Sequence, residues 1–194
     1  MTARLLAAAG RAAVPWKNGG GVTREIAAWP EDAGMDDFRW RVSLADVGAD
    51  GPFSSFDGVD RTLTMAEGAG MDLTVGGEHH RVDTPFVPRS FPGDLPTGCR
   101  LLAGPVVNLN VMWRRGDGAV PAVTVVRGGA AVAVPAAPAV LIVVLDGTAE
   151  VAGLTLDRYD AALLTGEDAV LRATGRTAVV RLAARAPLAA PTDP

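Results

Sequence analysis

An all-β fold follows from three observations. Glycine and proline, 23 and 14 of the 194 residues, punctuate the chain roughly every eight to twelve residues, the spacing of sandwiches and barrels. The runs between them are short and apolar, and helix signals are confined to the first dozen residues and to 54–57. The third is a clean period of two in residues 38–45. Phe38, Trp40, Val42 and Leu44 take one face there, and Arg39, Arg41 and Ser43 the other.

Taken in order, the first expected strand is 22–29, closed by the turn Pro30-Glu31-Asp32-Ala33-Gly34. Strand 38–45 follows, and then a Gly/Pro/Ser/Asp loop over 48–58 containing Gly51-Pro52-Phe53-Ser54. Further strands are expected at 60–66, 71–75 and 79–82, the last two joined by Gly76-Gly77, and a short piece at Phe86-Val87. Phe91-Pro92-Gly93-Asp94 reads as a loop. In strand 106–113, Asn108, Asn110 and Met112 share one face, and Val107, Leu109, Val111 and Trp113 the other. The second half is simpler, with strands at 123–126, 131–134, 140–145, 149–151, 154–156, 161–164, 169–172 and 177–183. An acid-Gly, strand, Gly, strand, acid cadence occurs in each half, at Glu67-Gly68 to Asp94 and at Asp146-Gly147 to Asp160. It resembles the folded-over barrel of the cupins. The expected architecture is therefore two fused cupin-like β-barrel halves, bicupin-like and metal-free. They would form one compact unit over 1–186, with halves near 10–118 and 119–186 and a flexible tail at 187–194.

Composition narrows the class. Apolar residues are 48% and charged residues 21%, ordinary globular material. A net charge of −4 with scattered arginines leaves no basic footprint for nucleic acid. A single cysteine, Cys99, allows no internal disulfide and fits a reducing compartment. No run of about 18 uncharged apolar residues marks a membrane span, and the first residues, broken by Arg4 and Arg11, do not read as a secretory leader. The expected location is the cytoplasm.

The densest polar stretch is Pro15-Trp16-Lys17-Asn18-Gly19-Gly20-Gly21-Val22-Thr23-Arg24-Glu25. Three glycines free the backbone for close approach, while the flanking side chains supply both signs of charge. It is not a phosphate loop, because the lysine precedes the glycines and a β-branched strand follows. A glycine bulge entering a strand and a ligand contact both remain open, and the crowding of polar groups favours the contact.

The catalytic possibilities are thin. His79 and His80 are neighbours in a strand and point to opposite faces, so no metal site and no cofactor are expected. Cys99 has no histidine at a partner's spacing. Arg24, Arg39, Arg41 and Arg61 sit on or beside first-half strands, and an inward arginine must find an anion. Asn108 and Asn110 fit the same polar pocket, with Trp16 and Trp40 as its apolar wall.

The signature over 15–25 resembles that of the HutD/Ves family. So do Phe38-Arg39-Trp40-Arg41, Gly51-Pro52-Phe53-Ser54, Asp60-Arg61, and Gly104-Pro105-Val106 followed by Asn110-Val111-Met112. The resemblance runs from about residue 16 to 183. It implies a two-barrel cupin-like fold without the usual metal histidines, and a regulatory or ligand-binding part in histidine catabolism. One departure is Asn108, where the family usually has Asp. An amide cannot act as a base at neutral pH, so the change favours hydrogen-bonded binding over catalysis.

The resulting expectation is a binder of a small carboxylate from histidine breakdown, such as an N-formylated or imidazole-bearing acid, acting as a regulator or sensor. Its candidate residues are Trp16, Lys17, Asn18, Thr23, Arg24, Glu25, Trp40, Arg61, Asn108 and Asn110, none of them catalytic. The alternatives are a metal-independent enzyme on the same acid, with Glu25 or Asp94 as base, and a regulator that docks another protein through its apolar second half. Sheet edges leave a homodimer open.

Overall fold

The computed structural model describes residues 2–116 and 120–182; the expected tail at 187–194 lies outside them. Among the described residues the chain is all strand and turn, with no helix. The strands up to the middle of the chain are β1 (Thr2–Leu6), β2 (Val14–Pro15), β3 (Gly21–Trp29), β4 (Trp40–Val47), β5 (Gly51–Phe53) and β6 (Val59–Glu67). Then come β7 (Met71–Val75), β8 (Glu78–Val82), β9 (Arg89–Pro92), β10 (Thr97–Leu101) and β11 (Val106–Arg114). The later strands are β12 (Ala122–Arg127), β13 (Ala131–Val134), β14 (Ala139–Asp146) and β15 (Ala149–Val151). The last strands among the described residues are β16 (Leu154–Leu156), β17 (Ala161–Thr165), β18 (Ala169–Ala173) and β19 (Arg176–Leu182).

These strands form two barrels, each of two sheets. The first pairs a six-stranded sheet, β2-β3-β4-β11-β6-β9, with a four-stranded one, β5-β10-β7-β8. The second pairs β1-β17-β14-β19-β12 with β13-β18-β15-β16. Apolar clusters show how the layers stack. One fills the first barrel around Leu63, Met65, Met71, Leu73 and Phe91. A second fills the other barrel around Ile142, Leu156 and Leu171. The largest lies between barrels, where the six-stranded sheet meets the five-stranded one.

Strand β14 explains that stacking. Leu141, Val143 and Leu145 join the core between the barrels, while Val140, Ile142 and Val144 join the second barrel's interior. A strand covered on both faces reads as an unbroken apolar run, as this one does. Opposite it, Trp29, Trp40 and Trp113 stand across from one another on β3, β4 and β11 and all pack into the shared core.

Several expectations are corrected. The first residues form a strand where helix signals were read, and β1 pairs with β17 from Thr2↔Thr165 to Leu6↔Ala161. Five residues cannot separate a helical from an extended period, and the open edge of β17 decides the matter. The second barrel thus borrows residues from ahead of the first. Residues 54–57 are not helical. Strands β5, β9 and β10 went unread because each is short and holds a Gly or Pro, although Pro52 and Pro92 sit on edge strands, where proline is tolerated. Phe86 is in a turn with φ of 64° rather than in a strand. The Gly76-Gly77 turn joins β7 to β8 directly, both glycines at positive φ (56° and 94°), as a tight hairpin demands. No helix among the described residues is long and apolar enough to cross a membrane.

Candidate functional site

The glycine-rich stretch is the turn of the β2–β3 hairpin. Trp16 N–H donates to the Gly21 carbonyl at 2.9 Å, and Gly19 N–H to the Trp16 carbonyl at 3.0 Å. A Cβ on Gly21 would lie 2.6 Å from the Asp46 carbonyl oxygen and 3.0 Å from the Trp16 ring, so only glycine fits. The turn is also anchored outward. The Gly20 carbonyl accepts from Gly48 N–H at 2.9 Å, and Asn18 Nδ2 donates to the Pro52 carbonyl at 3.4 Å. Trp16 Nε1 donates to Thr23 Oγ1 at 2.8 Å, and its ring meets Phe53 edge-on, 5.8 Å between centroids.

This hairpin forms one wall of a cavity of about 570 Å³. The floor is the inner face of β4, β6 and β11, and β5 with the loop after it supplies the far side. Three cations line it, Lys17, Arg41 and Arg61, with three amides, Asn18, Asn108 and Asn110, and the hydroxyls of Thr23, Ser43 and Ser54. Trp16, Phe53, Phe56, Leu63 and Met112 give it apolar walls. Among the described residues no carboxylate lines it.

Arg61 is the centre of that lining. It is only 8% exposed, and burial alone pulls its guanidinium down to about 10. Its charge sits over the rings of Phe53, Phe91 and Phe56, at 5.2, 5.4 and 6.0 Å from the centroids. Nε donates to Asn110 Oδ1 at 3.4 Å, and no carboxylate pairs with it among the described residues. Asn108 is 1% exposed and lines the same floor, with no hydrogen-bond partner for either side-chain atom. Arg41, by contrast, is already paired, with Glu25 at 2.9 Å, and also contacts Met35 Sδ.

Seven of the ten candidates read from the sequence line the cavity: Trp16, Lys17, Asn18, Thr23, Arg61, Asn108 and Asn110. Glu25 does not, but reaches its rim through Arg41. Arg24 and Trp40 lie elsewhere. Arg24 sits opposite Leu44 on the other face of the sheet and pairs with Asp46. Trp40 belongs to the core between the barrels. Alternation places Trp40 and Arg41 on opposite faces without saying which face is inward. The apolar face of β4 covers the second barrel, so its polar face lines the cavity. Ser43 was thus visible in the 38–45 alternation and missed for lack of that orientation, and Arg41, weighed among the arginines that could face inward, was left out of the candidates for the same reason. Phe53 and Phe56 lay hidden in a stretch read as loop.

Other reactive groups stand apart. Cys99 is buried in the first barrel's core, where burial first, and then Asp50 and Asp72, push its thiol up to about 11. His79 and His80 lie on exposed β8, and His79 Nδ1 is 3.1 Å from Asp72 Oδ2. Asp94 is engaged by Arg115, whose hydrogen bond holds the carboxyl below its ordinary range. Among the described residues no three His, Cys, Asp or Glu side chains are grouped to hold a metal ion.

Comparison with known proteins gives a consistent picture. A solved structure of HutD from Pseudomonas fluorescens SBW25 is 33% identical, covers 95% of this chain and 100% of that one, and superposes with a TM-score of 0.84. A conserved protein of unknown function from Pseudomonas aeruginosa PAO1 is 28% identical over 95% of this chain and 100% of its own, with a TM-score of 0.85. An Escherichia coli pirin solved with nickel(II) shares the fold at 10% identity, a TM-score of 0.71, and coverage of 95% and 100%. A Pseudomonas putida protein, known as an uncharacterized 21.2 kDa protein in the hutC 3′ region, is 41% identical over 100 residues. That match spans about half of each chain, 52% of both. The HutD family model matches residues 8–181. The chain belongs to the HutD family.

Proposed function

We propose that the first barrel binds a small organic acid, with its carboxylate on Arg61, and that this binding serves sensing or regulation in histidine utilisation within the cytoplasm. The observation that carries the reading is a buried guanidinium facing a cavity with no carboxylate to neutralise it. An unpaired buried charge is costly, and an anionic ligand supplies the missing partner in the planar geometry that guanidinium suits. The apolar walls of Trp16, Phe53 and Phe56 would cover the ligand's carbon skeleton. The engagement of Glu25 and Asp94 by arginines, together with the burial of Cys99, supports binding over turnover. The link to histidine utilisation rests on the family and on where the Pseudomonas putida relative is encoded.

A thermal-shift screen against histidine, urocanate, formylglutamate, formate and glutamate tests the reading. An acid at about a hundred times its dissociation constant should stabilise the fold by about 2.7 kcal/mol. The response should vanish in Arg61→Met. A flat screen with the native chain, or a response that survives the substitution, would remove acid binding at Arg61.

A further inference from the structure

Arg114 closes β11 on the parity of Asn108, Asn110 and Met112, one step beyond the cavity floor. It pairs with no carboxylate among the described residues. Its donors go instead to backbone carbonyls in two separate links of the chain. Nε donates to the Phe38 carbonyl at 3.0 Å and Nη2 to that of Asp36, both in the link 30–39 between β3 and β4. Nη1 donates to the Asp57 carbonyl at 3.5 Å, in the link 54–58 between β5 and β6. The guanidinium also lies over the Phe38 ring, 5.4 Å from its centroid. Backbone bonds strengthen the same seam: Arg114 N–H donates to the Arg39 carbonyl at 2.9 Å, and Arg115 N–H to that of Gly58 at 2.8 Å.

Neither link is fixed by a strand ladder over these residues, yet both reach the cavity. The first brings Met35 to it, and the second Ser54 and Phe56. Met35 is 40% exposed while lining the cavity, so it stands where the cavity meets solvent. Beneath the guanidinium, Phe38, Val59 and Met112 form a small core of their own, with Ala33 and Phe56 packed against it. The Phe56 ring in turn stands 6.0 Å from the Arg61 charge. Contacts thus run from Arg114 through both links to the residue that would hold an acid. A guanidinium can hold three carbonyls from two segments because its donors are spread in a fixed fork. An ammonium, with all its donors on one nitrogen, cannot span them. We propose that Arg114 is a positioning residue for the cavity, clasping the links 30–39 and 54–58 so that they cover it as one unit and slow the release of a bound acid. The release half rests on the acid-binding reading above; the clasp itself does not.

Two variants test it. Arg114→Lys keeps the charge and removes the fork, Arg114→Met removes both, and melting curves confirm that each is folded. Amide hydrogen exchange read by mass spectrometry needs no ligand. In both variants, exchange in peptides covering 30–39 and 54–58 should quicken together, by about tenfold or more, with the strands of the second barrel unchanged. Titration and stopped-flow with urocanate read the release. Its dissociation constant should rise about tenfold in both variants, mostly through faster release. Ethylguanidinium added to Arg114→Ala should restore both readouts, and ethylammonium should not. Unchanged exchange in the folded lysine variant, or quickening in only one link, would overturn the clasp. Unchanged release from a lysine variant whose links do exchange faster would overturn the positioning role, and so would a loss of affinity confined to Arg114→Met, because charge and not the fork would then hold the acid. Failure of the native chain to bind urocanate would count against acid binding at Arg61 alone, with exchange deciding the clasp.

Discussion

Arg61 shows how a residue can be retained at a cost to the empty fold. Three phenyl rings around its buried guanidinium offset part of that cost, a desolvated cation–π contact being worth up to about 2 kcal/mol, and one long hydrogen bond to Asn110 adds little. Against them stands the desolvation that lowers its pKa to about 10. Because this base has a folded value below its unfolded one, the folded state holds fewer protons between about 10 and the ordinary 12.5. The cost is therefore fully present at neutral pH, and it is relieved only as pH rises through that window. Methionine fills similar volume, keeps the contacts with the rings and carries no charge. Arg61→Met should melt, in the absence of any acid, within about 1 kcal/mol of the parent. A urea titration of both proteins checks this. A loss well beyond that figure would mean that the aromatic cage around the cation holds the fold, and that Arg61 is there for stability.

At the scale of the element, the β2–β3 hairpin separates two kinds of glycine. Gly19 has φ of 70° with open space around its missing Cβ, so Gly19→Ala should cost about 1–2 kcal/mol of backbone strain and leave the cavity wall in place. Gly21 has an ordinary backbone, but its Cβ would strike the Asp46 carbonyl and the Trp16 ring. Gly21→Ala should cost as much or more, up to about 3 kcal/mol, and it should also move Trp16. Denaturation midpoints read the first effect. Tryptophan emission and loss of acid binding read the second, and a Gly21→Ala protein with unchanged emission would contradict the packing described. This hairpin was legible in the sequence as a crowded, glycine-rich site because its function and its turn share the same residues. Strand β11 was legible as well: Asn108, Asn110 and Met112 alternate against Leu109, Val111 and Trp113, and the structure separates them into cavity and core. Trp40 was not, because β4 is covered on both faces and alternation fixes parity without direction. Nor was β1, whose partner β17 lies more than 150 residues away. Phe53 and Phe56 became part of the site only through the pairing of β5 with β10, a non-local contact that no local pattern announces.

For the whole molecule, the largest apolar cluster belongs to neither barrel alone. The row of Trp29, Trp40 and Trp113 packs with Leu141, Val143 and Leu145 of β14 in one core. At its edge Tyr159 of the second barrel donates to Glu67 of the first, which Arg158 also holds at 2.8 Å. Domains joined by a large apolar interface lose the independence that small polar interfaces allow. The two barrels should therefore unfold together, and the chain carries its own reporter for this. All four tryptophans, Trp16, Trp29, Trp40 and Trp113, lie in the first barrel, three of them against the shared core, so their emission follows the first barrel and its contact with the second, whereas far-UV circular dichroism follows the strands of both. Leu141 is fully buried and belongs to the second. Leu141→Ala should cost about 2–5 kcal/mol, and it should shift the tryptophan transition by the same amount as the dichroism transition, with the two curves still superimposed. If the barrels were separable, both signals would instead show an early step, as the second barrel unfolds and uncovers Trp29, Trp40 and Trp113, followed by a later step at the parent midpoint. That outcome would make the second barrel a passenger. Coincident transitions would make it the buttress that holds β4 and β11, and with them Arg41, Asn108 and Asn110, against the cavity.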